Sequence, residues 1–312
     1  VGIFHLMTHA FFKALLFLCA GSVIIAMHHE QDMRKMGGLK KYMPFTFITA
    51  WVGALALAGI PPFAGFFSKD MIIEAVQHSQ LPGSGFAYAA VLMGVFVTAF
   101  YTFRMLFMTF YGKPRMDDHT LKQVKESPWV VTVPLMLLAI PSLVSGFFMI
   151  EPLLFGGYFS ESIKVLPVHD VVREIGQHYS GLGPFIAHGL QSPPFLLAVA
   201  GIGLAWLMYI RYPFLPDQLR TKANTLYTIL SRKYFFDEFN EFVFAGGARF
   251  FGHLLWKVGD VKLIDGMAVN GTARVIGWVS SVIRHLQSGY VYHYAFAMIL
   301  GLFFLITFFL HR

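Results

Sequence analysis

Long apolar stretches separated by short polar ones dominate this chain. Residues 1–27, 44–79, 85–111, 128–150, 193–210 and 289–310 each read as a membrane-spanning segment, since a crossing helix takes roughly 20 apolar residues. The second is expected to be broken, because Gly59 relaxes the backbone and Pro61-Pro62 cannot continue a regular helix. The fifth is short and starts at Pro193-Pro194. Residues 211–288 follow another rule. From about 234 to 286, apolar residues recur at helical spacing: Phe236, Phe239 and Val243, then Phe251, Leu254, Val258 and Val261, then Val275, Val279, Val282 and Leu286. Arg249, Lys257, Asp260, Lys262, Asp265 and Arg274 stand between them. This pattern predicts an amphipathic helix lying along a surface, about 80 Å long if unbroken, bent near its glycines and held by other helices. A set of shorter interfacial helices is the alternative. The expected fold is all-α: a polytopic membrane protein of about six transmembrane helices, one of them broken, plus a long lateral amphipathic helix. Residues 1–210 would form the bundle, 211–288 a linker and the lateral helix, and 289–312 the last crossing.

Composition supports the membrane. The 312 residues are 56% hydrophobic and 13% charged, against about 25% charged in ordinary soluble domains. One cysteine, Cys19, excludes an intrachain disulfide and a cysteine-held iron–sulfur cluster. The net charge of +7 does not argue for nucleic acid, because the basic residues flank apolar runs, where they set membrane orientation. Arg34, Lys35, Lys40 and Lys41 in 28–43, and Lys113, Arg115, Lys122 and Lys125 in 112–127, place both loops on the cytoplasmic side. The loop at 151–192, where Glu151, Glu161, Asp170 and Glu174 outnumber Lys164 and Arg173, then lies outside with the 80–84 turn. The stretch 211–288 returns to the cytoplasm, and the C-terminus ends outside. The chain opens within an apolar run, Val1-Gly-Ile-Phe, and is expected to be the C-terminal part of a longer protein.

Titratable groups inside apolar segments are costly and usually mark an ion path. His5, His9 and Lys13 recur at intervals of four in the first segment, so they share one face and span about 12 Å of depth. Imidazoles accept and donate protons near neutrality, and a buried lysine is disposed to lose its proton. The same three residues could instead be a polar stripe joining helices. Histidines four apart can share a zinc, but no carboxylate or cysteine accompanies His5 and His9; His28-His29-Glu30 is better read as solvated polarity at the membrane rim. Lys69 and Asp70 follow the Gly59–Pro62 break. Broken helices form ion sites in transporters, whereas the plainer reading ends the helix at the prolines and leaves Lys69 and Asp70 at the outer surface. Arg104 is explained by snorkelling, and His169, His178 and His188 are given no role.

The run His5-Leu-Met-Thr-His-Ala-Phe-Phe-Lys13, the run from Gly59-Ile-Pro-Pro to Gly65-Phe-Phe-Ser-Lys-Asp70, the His28-His29-Glu30-Gln31-Asp32 stretch and Met36-Gly-Gly-Leu39 resemble the antiporter-like subunits of respiratory complex I. Tyr234-Phe-Phe-Asp-Glu238 ahead of the lateral helix extends the resemblance to essentially the whole chain. It implies a non-redox, proton-translocating subunit of a bacterial NADH–quinone oxidoreductase in the inner membrane. His5, His9 and Lys13 would lie on the central axis of the proton track, with Lys69 near the outward half-channel and Asp70 beside it. The inlet-side glutamate and lysine would belong to helices absent here, so this piece would not pump alone. The resemblance implies no cofactor in this chain, with NADH, FMN, iron–sulfur clusters and quinone in other subunits. The partners it implies are the lipid bilayer and other membrane-arm subunits contacted by the lateral helix. Sodium/proton antiporters and membrane-bound hydrogenases share these elements. A role mainly as a structural clamp is the alternative of a different class.

Overall fold

The computed structural model describes residues 1–159 and 162–311; Glu161, one of the loop carboxylates counted above, lies outside them. Among the described residues all regular structure is helical. Five helices are long and apolar enough to cross a membrane: Gly2–Ala26, Ser84–Phe110, Trp129–Phe155, Pro193–Arg211 and Val291–Leu310. The remaining expected crossing is divided into α2 (Pro44–Ala58) and α3 (Ala64–His78). Each half covers only about 22 Å, short of the ~30 Å hydrocarbon layer. The chain falls into two compact units, residues 1–222 and 223–312.

In the first unit, α1 (Gly2–Ala26) packs on α2 through Leu15 and Leu16. The facing side of α2 is nearly all small: Ala50, Gly53, Ala54 and Ala58 are buried. Such faces let helix backbones approach closely, which is how helices associate where lipid is as apolar as leucine. Likewise α4 (Ser84–Phe110) meets α9 (Pro193–Trp206) at Gly201, where a Cβ would lie 2.6 Å from the Phe96 carbonyl oxygen. Helix α6 (Trp129–Ile150) continues through a π turn at Glu151–Phe155 and contributes Leu135 and Ile150 to the core.

The break between α2 and α3 has a local cause. Gly59 adopts φ +78°, and its N–H and that of Ile60 both reach the Leu55 carbonyl at 3.1 Å, the left-handed stop for which glycine is suited. The chain then restarts as α3 hard against what it left. A Cβ on Gly65 would fall 1.8 Å from the Ala56 carbonyl oxygen.

The two ends of this unit differ. At one end, Phe4, Phe66, Phe67, Met71, Ile150 and Ile175 form a separate apolar cluster. Two short helices cover it, α7 (Val171–His178) and α8 (Leu182–Gly189). Phe185 of α8 lies 5.5 Å from Phe66 and 6.1 Å from Phe67, ring centre to ring centre. At the other end, the loops 28–43 and 112–127 are sewn together. Arg115 donates to the carbonyls of Arg34 (2.9 Å), Met33 (3.0 Å) and Met108 (2.6 Å), and Lys40 sits 4.3 Å over the Tyr111 ring. After the short helix α5 (Asp118–Gln123), Glu126 reaches the start of α2. Its carboxylate accepts from the Phe45 N–H (2.7 Å), the Thr46 N–H (3.3 Å) and the Thr46 hydroxyl (2.7 Å). This supplies donors that a helix N-terminus otherwise leaves unmatched. Thr46 continues to Ser22 (2.8 Å), and Ser22 to Ser127 (2.7 Å). The unit ends with α10 (Leu215–Lys222).

The second unit begins with α11 (Asn224–Ser231). Lys233, Tyr234 and Phe235 then turn the chain at φ 50°, 58° and 60°. From 236 to 284 the backbone stays helical through α12 (Phe236–Asn240), α13 (Gly246–Leu254) and α14 (Asn270–Arg284), joined by π segments at Glu241–Ala245 and Leu255–Val269. The run is about 70 Å long, a continuous helix rather than a series of short ones, and Gly259 and Gly266 fall in the wider π segment. Within this unit nothing covers the apolar stripe read from the sequence, from Phe236 at 64% exposure to Leu286 at 78%. The final helix α15 (Val291–Leu310) buries no residue.

Candidate functional site

The polar groups of α1 meet the break through two hydroxyls. One helical face puts Phe4, Thr8 and Phe12 into the core and carries His5, His9 and Lys13 along its half-buried flank. From α3, the fully buried Ser68 presents its Oγ 2.9 Å from His5 Nδ1 and 2.7 Å from Thr8 Oγ1. Thr8 also donates to the His5 carbonyl at 3.1 Å. Ser68 holds this place because α3 restarts against α2 at Gly65, one turn earlier, where its own hydroxyl can reach the Gly65 carbonyl at 3.5 Å. Along α1 the His5 and His9 rings are 5.7 Å apart, and His9 stacks edgewise on Phe12 at 5.3 Å. Lys13 Nζ points onward to the Phe17 ring, 5.8 Å from its centre.

Lys69 follows Ser68 directly on α3. Its Nζ is buried and has no hydrogen-bond partner among the described residues. The aliphatic stem runs past Gly59, where a Cβ would stand 3.3 Å from Lys69 Cδ. A cavity of about 10 Å³ adjoins it, lined by Gly59, Lys69, Asp70, Ile73, Val95 and Pro194 among others; this is about the space one water needs. Asp70 shares the cavity, but Lys69 Nζ makes no hydrogen bond to it, since consecutive helical positions do not face each other. Glu74 stands one turn on from Asp70 along α3.

The structure therefore joins His5 and Thr8 to Ser68 and sets His9 and Lys13 further along α1, whereas Lys69 Nζ makes no hydrogen bond to any of them. Thr8 and Ser68 were not singled out from the sequence. Both carried a legible signal, a small hydroxyl at i+3 from one histidine and another directly before a buried lysine. No group of three or more His, Cys, Asp or Glu side chains that could hold a metal ion is found among the described residues. Arg104, near the end of α4, lies 5.6 Å from the Tyr209 ring, a stacking that snorkelling alone did not specify.

Residues 2–100, which contain α1, the break and α3, match the family described as NADH:quinone oxidoreductase/Mrp antiporter, transmembrane. Over these residues the chain belongs to this antiporter-like membrane family. Within it, the similarity runs to proteins named subunit L or chain 5. The chain is 48% identical to NADH-quinone oxidoreductase subunit L of Neisseria meningitidis serogroup A, over 96% of its own length and 47% of that protein's. It is 37% identical to NADH-quinone oxidoreductase subunit L of Rhodobacter capsulatus, over 97% of the chain and 51% of that protein. It is 35% identical to NADH-ubiquinone oxidoreductase chain 5 of Marchantia polymorpha, over 97% of the chain and 45% of that protein. The chain spans about half the length of the curated relatives it matches.

Proposed function

We propose that this chain is part of a proton-translocating, non-redox subunit of the membrane arm of an NADH:quinone oxidoreductase. The observation that carries the reading is the contact of His5 and Thr8 with Ser68, which joins the titratable face of α1 to the break bearing Lys69. A proton can step between imidazoles and through a hydroxyl that both donates and accepts. Lys13, His9, His5 and Lys69, with Asp70 beyond, are the stations of that path. Charge shifts elsewhere in the complex would change the protonation of Lys13 and Lys69. The chain itself holds no redox cofactor on this reading; NADH, FMN, iron–sulfur clusters and quinone act in other subunits.

The subunit would reside in a bacterial inner membrane, with the loops 28–43 and 112–127 and the lateral helix at the cytoplasmic face and the C-terminus in the periplasm. The uncovered stripe on the 236–284 helix favours a second, compatible role as a brace against neighbouring antiporter-like subunits. The test is Lys69→Ala or Lys13→Ala in the full-length subunit, in vesicles carrying the assembled complex. Proton output per electron pair should fall while assembly persists. An unchanged ratio with either variant refutes that lysine's place on the path.

A further inference from the structure

Arg104 lies on α4 six residues before Phe110, in a helix with no other charged residue. α4 packs on α2 where Trp51 meets Phe103, and on the Pro193–Arg211 crossing at Gly201. None of these three segments contains an Asp or Glu. The loop carboxylates past this end of α4 are already engaged: Asp32 pairs with Arg34 at 2.7 Å, Glu30 pairs with Lys35, and Glu126 caps α2. Among the described residues Arg104 makes no ion pair, and its Nε is buried with no hydrogen-bond partner. Its guanidinium lies over the Tyr209 ring, 5.6 Å from the centre, and that ring packs on Phe100 at 6.1 Å. A ring face attracts a cation but leaves its charge unneutralised, and such a charge beside lipid is costly. Tyr209 also fixes its depth. The Pro193–Arg211 crossing is about 28 Å long, close to the ~30 Å hydrocarbon layer. Tyr209 stands two residues before its end, so the guanidinium lies within about one turn of the headgroup level, at the end bearing the Lys/Arg-rich loops. Towards the membrane interior, exposed Met93, Val97 and Tyr101 recur at intervals of four on α4, and Arg104 follows three residues later. All four share one helix face. That face is an apolar stripe ending at a part-exposed, unpaired cation.

We propose that Arg104, backed by Tyr209, binds the phosphate of an anionic phospholipid whose acyl chains lie along the Met93–Val97–Tyr101 stripe. The planar guanidinium matches phosphate oxygens as a two-pronged donor, and the ring behind it holds the fork in place. At this depth phosphate is the abundant anion, and its tails cover the apolar stripe that leads to the arginine. One amphiphile thus answers both needs of the face, a counter-charge and a partner for apolar surface. Arg211, whose guanidinium lies 5.1 Å from the Tyr212 ring at the end of the neighbouring crossing, adds positive charge at the same level. A carboxylate of a neighbouring polypeptide is the competing occupant. This site is independent of the proton path and rests only on the chain spanning a membrane.

The experiment uses the assembled complex with the full-length subunit, in vesicles of phosphatidylcholine alone or of phosphatidylcholine with phosphatidylglycerol. A phosphatidylglycerol carrying a photoreactive group beside its phosphate is cross-linked to the wild-type complex. Adducts should fall on the peptides around Arg104 and Tyr209, and unlabelled phosphatidylglycerol should displace them where added phosphatidylcholine does not. Their absence there, or equal displacement by both lipids, overturns the proposal without any variant. The second measurement is the thermal dissociation midpoint of the subunit. Phosphatidylglycerol should raise it in wild type and in Tyr101→Phe. The rise should be lost in Arg104→Gln and partly kept in Arg104→Lys. A rise in Arg104→Gln equal to wild type overturns the site. Carbodiimide treatment of the Arg104→Lys complex tests the competing occupant: an amide joining that lysine to a carboxylate of another polypeptide overturns the lipid assignment. If Arg104→Gln fails to assemble, the wild-type cross-linking decides.

Discussion

Replacing Ser68 by alanine separates a proton path from a merely adhesive polar stripe. The serine is fully buried, and its Oγ is the only atom of α3 hydrogen-bonded to both His5 and Thr8 among the described residues. Alanine fits the same space, so the loss is electrostatic rather than steric. Two hydrogen bonds disappear, worth about 1 kcal/mol each. The Thr8 hydroxyl keeps the His5 carbonyl at 3.1 Å, so it is not stranded. A half-buried His5 Nδ1 recovers part of its loss from solvent. The total is therefore about 2 kcal/mol, seen as a lowered melting midpoint of the full-length subunit in detergent. If the hydroxyl carries protons, yield per electron pair in vesicles should also fall to the level of Lys69→Ala. If it only joins helices, stability drops and the yield stays. A wild-type yield in an assembled Ser68→Ala complex refutes the step through this hydroxyl. An unchanged melting midpoint refutes the stability reasoning.

Glu126→Ala removes three hydrogen bonds at the start of α2 and should cost about 2 kcal/mol of stability; Glu126→Gln, which keeps an acceptor, should fall between it and wild type in the same thermal melt. The 28–43 loop should loosen in acid. The hydrogen bond from Arg34 holds the Asp32 carboxyl down to about 2, and that from Lys35, with the Asp32 N–H, holds Glu30 below its usual range. Both carboxylates are lowered on folding, so their contribution is complete above their unfolded values near pH ~4. It is lost as pH falls through the folded values. Hydrogen exchange at the Asp32 and Arg34 amides should show protection at pH 5 disappearing by about pH 2; protection that persists there would contradict the assignment.

The crossings were legible because apolar length is a one-dimensional signal, and the break at 59–63 because glycine and proline act locally. The long amphipathic helix over 236–284 was legible from its 3.6-residue spacing. Its exposed stripe agrees with a surface that no part of this chain's own core needs. His5, His9, Lys13 and Lys69 stood out because charge-capable groups are rare in apolar runs. Ser68 and Thr8 did not, since hydroxyls are common in such helices and become telling only when two helices bring them to 2.7 Å. The Glu126 cap joins residues about 80 apart in sequence, and no spacing rule reaches that far.

The seating of Gly65 on the Ala56 carbonyl has a mechanical consequence. Main chain touches main chain there, with no flexible side chain between to be compressed or rearranged. The elbow that bears Lys69 thus has no slack in the closing direction. A change of charge on the ammonium cannot be absorbed by the two half-helices sliding together. It has to be answered by the mobile parts of the site, the swing of the lysine stem and the shifting of hydrogen nuclei among neighbouring side chains.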